Sequence, residues 1–461
     1  MSAPTKPPAG ERSAPRDTPA RPAAPAARRS GRWIDHWDPE DPTFWRDGGR
    51  RVAFRNLWIS ILAEFLGFAV WALWSIVVPQ LPAAGFALTV DQQFWLVAVP
   101  SLVGATLRIP YTFAVPLFGG RNWTVVSALL LLLPTVALAV VVQRPDTGFG
   151  VLLAVAALAG LGGGNFASSM ANISFFFPER EKGKALGLNA AGGNLGTAAV
   201  QLAVPVVITV GAGVSLERAG LMMVPLVLLA AVLAWRGMDN LTTARADPRS
   251  FAAAARCRHT WIVSFLYIGT FGSFIGYAGA FPMLLGSQFP GAGVSVAFLG
   301  ALVGSVSRPL GGVVADRVGG TRVTIAAYVT MAAGAVGAIQ ALERDSFGLF
   351  LGSFLVLFVA TGIGNGSTYR MIPAIFRAAA DGDDAAARAR AQRAAAGCIG
   401  IAGAVGAFGG FLIPRGFAAS TGLAGSLVPA LWTFVAVYAV MALVAWSVYG
   451  RRGAALASAR I

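Results

Sequence analysis

The chain has 461 residues, of which 56% are hydrophobic and only 12% charged, and its mean hydropathy is +0.66. That balance is too apolar for a soluble globular domain and places the chain among integral membrane proteins. The formal charge of +15 does not point to a nucleic-acid partner, because the basic residues segregate to one side of the apolar segments.

In chain order, the first 30 residues are rich in Pro, Ala and Arg and contain no continuous apolar core of a signal peptide, although Arg28 and Arg29 are adjacent. They read as a disordered tail, and residues 1–54 are assigned to a cytoplasmic, largely disordered N-terminal segment. Apolar windows of the roughly 20 residues needed to cross a bilayer core follow. They lie near 57–81, 93–118, 123–142, 148–176, 186–210, 219–236, 261–285, 294–314, 323–342, 347–375, 394–416 and 427–449. These predict twelve transmembrane helices and an all-α membrane protein. The windows are too long and too uniformly apolar for the alternating strands of a barrel.

The polar connection "RGMDNLTTARADPRSFAAAARCRHT" (Arg236 to Thr260) divides the chain into two six-helix halves, 55–236 and 261–449. Residues 237–260 form a cytoplasmic linker and 450–461 a cytoplasmic C-terminal tail. With the N-terminus inside, about 29 of the 36 Lys and Arg fall in the tails and inner connections, against about four outside. The expected setting is therefore a cell membrane, crossed many times, with both termini cytoplasmic. Cys257, Cys398, His36 and His259 form no cluster, so neither a disulfide nor a metal site is indicated.

The halves repeat. "LVGATLRIP" (Leu102 to Pro110) in the second window has a counterpart, "LVGSVSRPL" (Leu302 to Leu310), in the eighth, with Arg108 and Arg308 in register. "AGLGGGNF" (Ala159 to Phe166) and "TGIGNGS" (Thr361 to Ser367) form a second correspondence. Parallel six-helix halves around a midplane site are the plan of the major facilitator transporters. The stretch "GGVVADRVGGTR" (Gly311 to Arg322) is similar to that superfamily's Gly-x-x-x-Asp-Arg-x-Gly loop, whereas "VPLFGGRNW" (Val115 to Trp123) lacks the acid.

Each buried arginine costs about 2.5–3.5 kcal/mol on insertion scales. The only intramembrane acid is Glu64, which cannot neutralise both. The missing partner is then a diffusible anion: guanidinium keeps its proton and offers a flat fork of donors suited to a small planar oxyanion. In the competing view, each arginine binds backbone carbonyls at a kink beside Pro110 or Pro309. Tyr267 and Phe271 share a helical face, and with Phe68 they offer a hydroxyl and aromatic walls. Taken singly, these are residues that usually pack. The glycines of windows five and eleven, Gly192, Gly193, Gly196, Gly406, Gly409 and Gly410, are assigned to close helix packing, on smooth faces that also permit sliding.

Several motifs are more specific. "GLGGGNFASSMANISFFFP" (Gly160 to Pro178) with "KALGLNAAGGNLG" (Lys184 to Gly196) closely resembles the nitrate signature region of the nitrate/nitrite porter family. "DPEDPTFW" (Asp38 to Trp45), "RNLWIS" (Arg55 to Ser60), "LRIPYTFAVPLFGGRNWT" (Leu107 to Thr124), "LYIGTFGSFIGYAGAF" (Leu266 to Phe281) and "GAVGAFGGFLIP" (Gly403 to Pro414) resemble its NarK-like branch. The resemblance runs from about Asp38 to Arg451. It implies nitrate and nitrite as substrates and no cofactor. It also implies that Arg108 and Arg308 are the anion-binding pair, Asn189 the signature asparagine and a substrate-binding amide donor, and Phe68, Tyr267 and Phe271 the aromatic substrate contacts. The residues alone reached two arginines and a small anion, leaving phosphate or a carboxylate open.

Two positions depart from the family: Glu64 in window one, and Arg370 where a glutamine is expected in window ten. The expectation is that they pair at the cytoplasmic side of the cavity, as a coupling or gating element. The function expected is a nitrate/nitrite antiporter of monomeric assembly, embedded in lipid. Its alternatives are a proton-coupled nitrate symporter using Glu64 and, from another class, a non-transporting anion sensor. No nucleophile and base set, metal cluster or dinucleotide loop indicates an enzyme.

Overall fold

A computed structural model describes residues 28–29, 32–211, 213–245, 248–380, 382 and 384–451. The expected tails at 1–27 and 452–461 lie outside the described residues. Among the described residues, twelve helices are long and apolar enough to cross a membrane. They are α1 (Pro42–Gln80), α2 (Val90–Phe118), α3 (Gly120–Val141), α4 (Phe149–Phe176), α5 (Glu179–Ile208) and α6 (Glu217–Gly237) in the first half. In the second half are α7 (Arg258–Gln288), α8 (Val294–Val318), α9 (Gly320–Glu343), α10 (Phe347–Ala378), α11 (Ala386–Ala424) and α12 (Val428–Gly450). An even number of crossings puts the start of α1 and the end of α12 at one end of the bundle, the tail end.

Helices alone satisfy every backbone donor and acceptor without water, so apolar runs of this length have no other single-segment solution in lipid. Their outer faces expose Leu133, Leu229, Val329, Leu412 and Trp432, as lipid contact requires. Where the helices touch, glycine permits the approach. A Cβ at Gly196 of α5 would overlap the carbonyl oxygen of Phe65 in α1, one at Gly193 would lie 2.5 Å from Glu64 Oε1, and one at Gly192 2.5 Å from Ile61. In α11 the corresponding distances are 2.5 Å from Gly406 to Tyr267, 2.5 Å from Gly409 to the Cα of Gly272, and 2.6 Å from Gly410 to Ile275.

The segment before the first predicted window is more ordered than its composition suggests. Trp33–Ile34 forms a short strand, β2, between β1 (Arg28–Arg29) and β3 (Asn240–Leu241). Residues 42–54 belong to α1 itself, not to a disordered tail. The cause is aromatic: Trp37 packs on Phe176 at 5.2 Å and Trp45 on Phe177 at 5.7 Å. Beneath the strands, fully buried Asp239 is bound by Arg55, by Arg32 Nε at 3.3 Å and by Asn56 Nδ2 at 3.1 Å. The linker likewise carries structure, β3 and the helix Pro248–Arg256.

Opposite the tails, the two halves meet closely. Arg415 of α11 donates to Asp91 of α2 at 2.8 Å and lies 4.3 Å from the Trp95 ring centroid, while Trp95 packs on Phe411 at 5.6 Å. Gln201 Nε2 of α5 donates to the Ala278 carbonyl of α7 at 2.7 Å.

Candidate functional site

The site is built on α2, α4, α7 and α8. Arg108 and Arg308 are 1% and 5% exposed, deep enough that each unsatisfied donor is costly. Arg108 donates from Nε to the Gly163 carbonyl of α4 at 3.2 Å and from Nη1 to the Gly403 carbonyl of α11 at 2.8 Å. The second of these bonds crosses between the halves. The expectation of carbonyl ligands is therefore met in part for Arg108, but on neighbouring helices and not at its own kink. Arg308 donates from Nη2 to the Tyr267 hydroxyl at 3.4 Å. Among the described residues, Arg108 Nη2 and Arg308 Nη1 have no partner.

Both guanidinium groups look onto the same two phenyl rings. The Arg108 carbon lies 4.4 Å from the Phe166 centroid and 4.8 Å from that of Phe271. For Arg308 the distances are 5.7 Å and 5.9 Å. Sharing Phe166 bounds the separation of the two charges at about 10 Å, where repulsion at an effective dielectric of about 20 is on the order of 2 kcal/mol. The rings, centroids 5.9 Å apart and nearly parallel, present their faces to the cations, as the ring quadrupole favours.

Backbone geometry sets Phe271. Residues Ile268–Gly272 form one π-helical turn within α7, a local rewinding that recurs where a helix must re-aim a side chain. Tyr267 and Phe271 stack with centroids 5.2 Å apart at 18°, so the shared face expected from their spacing persists across that turn. Phe68 stands one layer behind, edge-on to Phe166 at 6.1 Å and to Trp71 at 5.3 Å. It supports the wall that the arginines face.

Asn189 and Glu64 form a separate buried pair. Asn189 Nδ2 donates to Glu64 Oε2 at 2.6 Å and to Ser169 Oγ at 2.7 Å. The amide donor expected to meet the anion is thus engaged by a carboxylate, while Oδ1 lacks a partner.

The pairing expected between Glu64 and Arg370 is not formed. Arg370 Nε bonds Asp316 of α8, with both side chains about half exposed, whereas Glu64 is fully buried. The reason is local: Asp316, the acid of the Gly-x-x-x-Asp-Arg-x-Gly motif, sits at the tail end of α8, and α8 packs along α10. An exposed arginine there takes the nearest exposed acid, while the buried acid on α1 is engaged by Asn189.

Phe166, Tyr369 and Trp71 were not singled out in the sequence. Tyr369 lies 5.9 Å from Arg308 by ring centroid and Trp71 5.7 Å from Arg108. Phe166 closes a motif that was recognised for its glycines. Its position four residues after Gly162 on a helix crossing the Arg108 helix was the available signal.

A profile of the Major Facilitator Superfamily matches residues 59–414. Curated relatives match nearly the whole chain. The nitrate/nitrite transporter NarU of Escherichia coli (strain K12) is 42% identical over 90% of this chain and 96% of its own length. The probable nitrate/nitrite antiporter NarK2 of Thermus thermophilus is 37% identical over 92% and 98%. Among solved structures, a crystal structure of the D-xylose-proton symporter superposes with a TM-score of 0.65 at 16% identity, covering 86% of this chain and 97% of that one; this likeness bears on the fold. The repeated halves, the paired intramembrane arginines and these matches make the chain a member of the Major Facilitator Superfamily and, within it, of the NarK-like nitrate/nitrite porters.

Proposed function

We propose that this chain exchanges nitrate for nitrite across a cell membrane, importing the first and exporting the second through one site between Arg108 and Arg308. The observation that carries the proposal is the pair of unpartnered Nη groups, one from each half, facing the same two phenyl rings. A small planar anion between them accepts charge-assisted bonds from both, and aromatic walls strip its water. The names of the relatives supply the identity of that anion.

Exchange follows from charge. Without an anion, drawing the halves together presses two cations toward each other; with one, repulsion becomes attraction on both sides, and the loaded carrier reorients more readily. In this proposal the halves 55–236 and 261–449 rock about the site as units. The tails lie in the cytoplasm, and the Asp91–Arg415 contact closes the outer side. The chain needs no partner subunit.

Proteoliposomes loaded with nitrite and placed in labelled nitrate test the proposal: uptake should require internal nitrite or nitrate. Uptake into anion-free vesicles that follows an imposed proton gradient and disappears in Glu64→Gln would establish proton-coupled symport instead. The complete burial of Glu64, next to Asn189, is the observation that keeps this second reading in play.

A further inference from the structure

Behind the Asn189 pair lies a small polar chamber within the first half, between α1, α3 and α4. Helical spacing builds it: Ser60 and Glu64 fall on one face of α1, Thr124 and Ser127 on one face of α3, and Asn165 and Ser168 on one face of α4. Its volume is about 10 Å³, the size of a single small occupant. Glu64 is 0%, Ser60 1% and Asn165 3% exposed. Among the described residues, Glu64 Oε1, Ser60 Oγ and both side-chain polar atoms of Asn165 have no partners.

The lining is rich in acceptors. Thr124 commits its hydroxyl proton to the Gly120 carbonyl at 2.8 Å, Ser127 to the Thr124 carbonyl at 3.2 Å and Ser168 to the Asn165 carbonyl at 3.1 Å. Those three oxygens can turn only lone pairs toward the chamber. With Glu64 and Asn165 Oδ1 they make an oxygen-rich cage, negatively charged when Glu64 is ionised, in which the Asn165 amide nitrogen and the Ser60 hydroxyl are the unpartnered donors. Neither the anion site nor helix packing calls for such a cage, and an ionisable group within a membrane segment marks an ion site by default.

We infer that this chamber is a binding site for one small monovalent cation, sodium, with the Glu64 carboxylate as its charged ligand and the α3 and α4 hydroxyls as neutral ones. The charged groups that act on Glu64 are Arg308 of α8 and Arg108 of α2; Ser169 of α4 and Asn189 of α5 face it as neutral partners. A monovalent anion at the arginine pair offsets one of those positive charges. Anion and cation therefore favour each other's binding, and the coupling is reciprocal.

The test uses the purified full-length chain in detergent without nitrate or nitrite, so its outcome is independent of the transport proposal. Melting temperature is recorded against sodium gluconate, with choline gluconate holding ionic strength, and against pH in choline alone. A sodium site predicts a melting temperature that rises with the logarithm of sodium concentration. This response should vanish in Glu64→Gln and need about tenfold more sodium in Ser127→Ala or Thr124→Val, each of which removes one ligand. No sodium response, together with a pH response of the wild type that is absent from Glu64→Gln, would overturn the inference and leave Glu64 a titrating carboxyl without a cation site. If Glu64→Gln does not fold, the α3 variants carry the test alone, through displaced sodium midpoints. Wild type and variants that follow sodium and pH in parallel would overturn the inference and leave the chamber as a buried-water pocket.

Discussion

Arg308→Lys separates the two things an arginine brings to the site, charge and geometry. Lysine retains the positive charge and hence the repulsion between the halves, but it replaces a planar fork by a point donor on a flexible stem. Arg308 Nη2 is tied to Tyr267 at 3.4 Å and, among the described residues, Nη1 has no partner, so one nitrogen anchors the guanidinium while the other is free for the proposed anion. An ammonium cannot do both. Losing one charge-assisted bond costs about 1.5–3 kcal/mol, a weakening of nitrate binding by roughly tenfold to 150-fold. Among the described residues Arg308 makes no side-chain bond to backbone comparable to those of Arg108 to Gly163 and Gly403, so folding should survive. The assay is nitrate titration of purified protein by calorimetry, with melting temperature and membrane yield as folding controls. A folded variant that binds nitrate within twofold of wild type would refute the assignment of Arg308 as an anion ligand.

Further outcomes are expected. Gly196→Ala places a methyl group against the Phe65 carbonyl, and overpacking of this kind costs about 1–3 kcal/mol. Gly187→Ala meets nothing within 4 Å, so only the first should lower the melting temperature. Arg415→Ala removes the Asp91 pair and the Trp95 contact. These are worth about 1 to 2 kcal/mol together, and spin-label distances between the ends of α2 and α11 opposite the tails should shift toward a wider opening. Because Arg370 bonds Asp316, the effects of Arg370→Gln and Glu64→Gln on counterflow should add. Rescue of one by the other would restore direct coupling between them.

The number and position of the membrane helices were legible in the sequence because lipid imposes a local rule: an apolar run long enough to span must satisfy its own backbone as a helix. All twelve windows appear as spans, with ends moved by a turn or two and α1 and α11 extended farthest. The arginine pair was legible as well, because a buried charge is conspicuous against an apolar background and the repeat placed both in register. What surrounds them was not. Windows that are apolar on every side carry no signal of which face meets which neighbour, so the convergence of Phe166 and Phe271 on both guanidinium groups depended on how α2, α4, α7 and α8 are rotated. The same holds for Glu64, which the sequence marks as an isolated acid. Only packing could hand it to Asn189 and a cage of hydroxyls, and only packing could give Arg370 to the exposed Asp316. Partner choice among buried polar groups is a property of helix contacts, and those are decided by the assembled bundle.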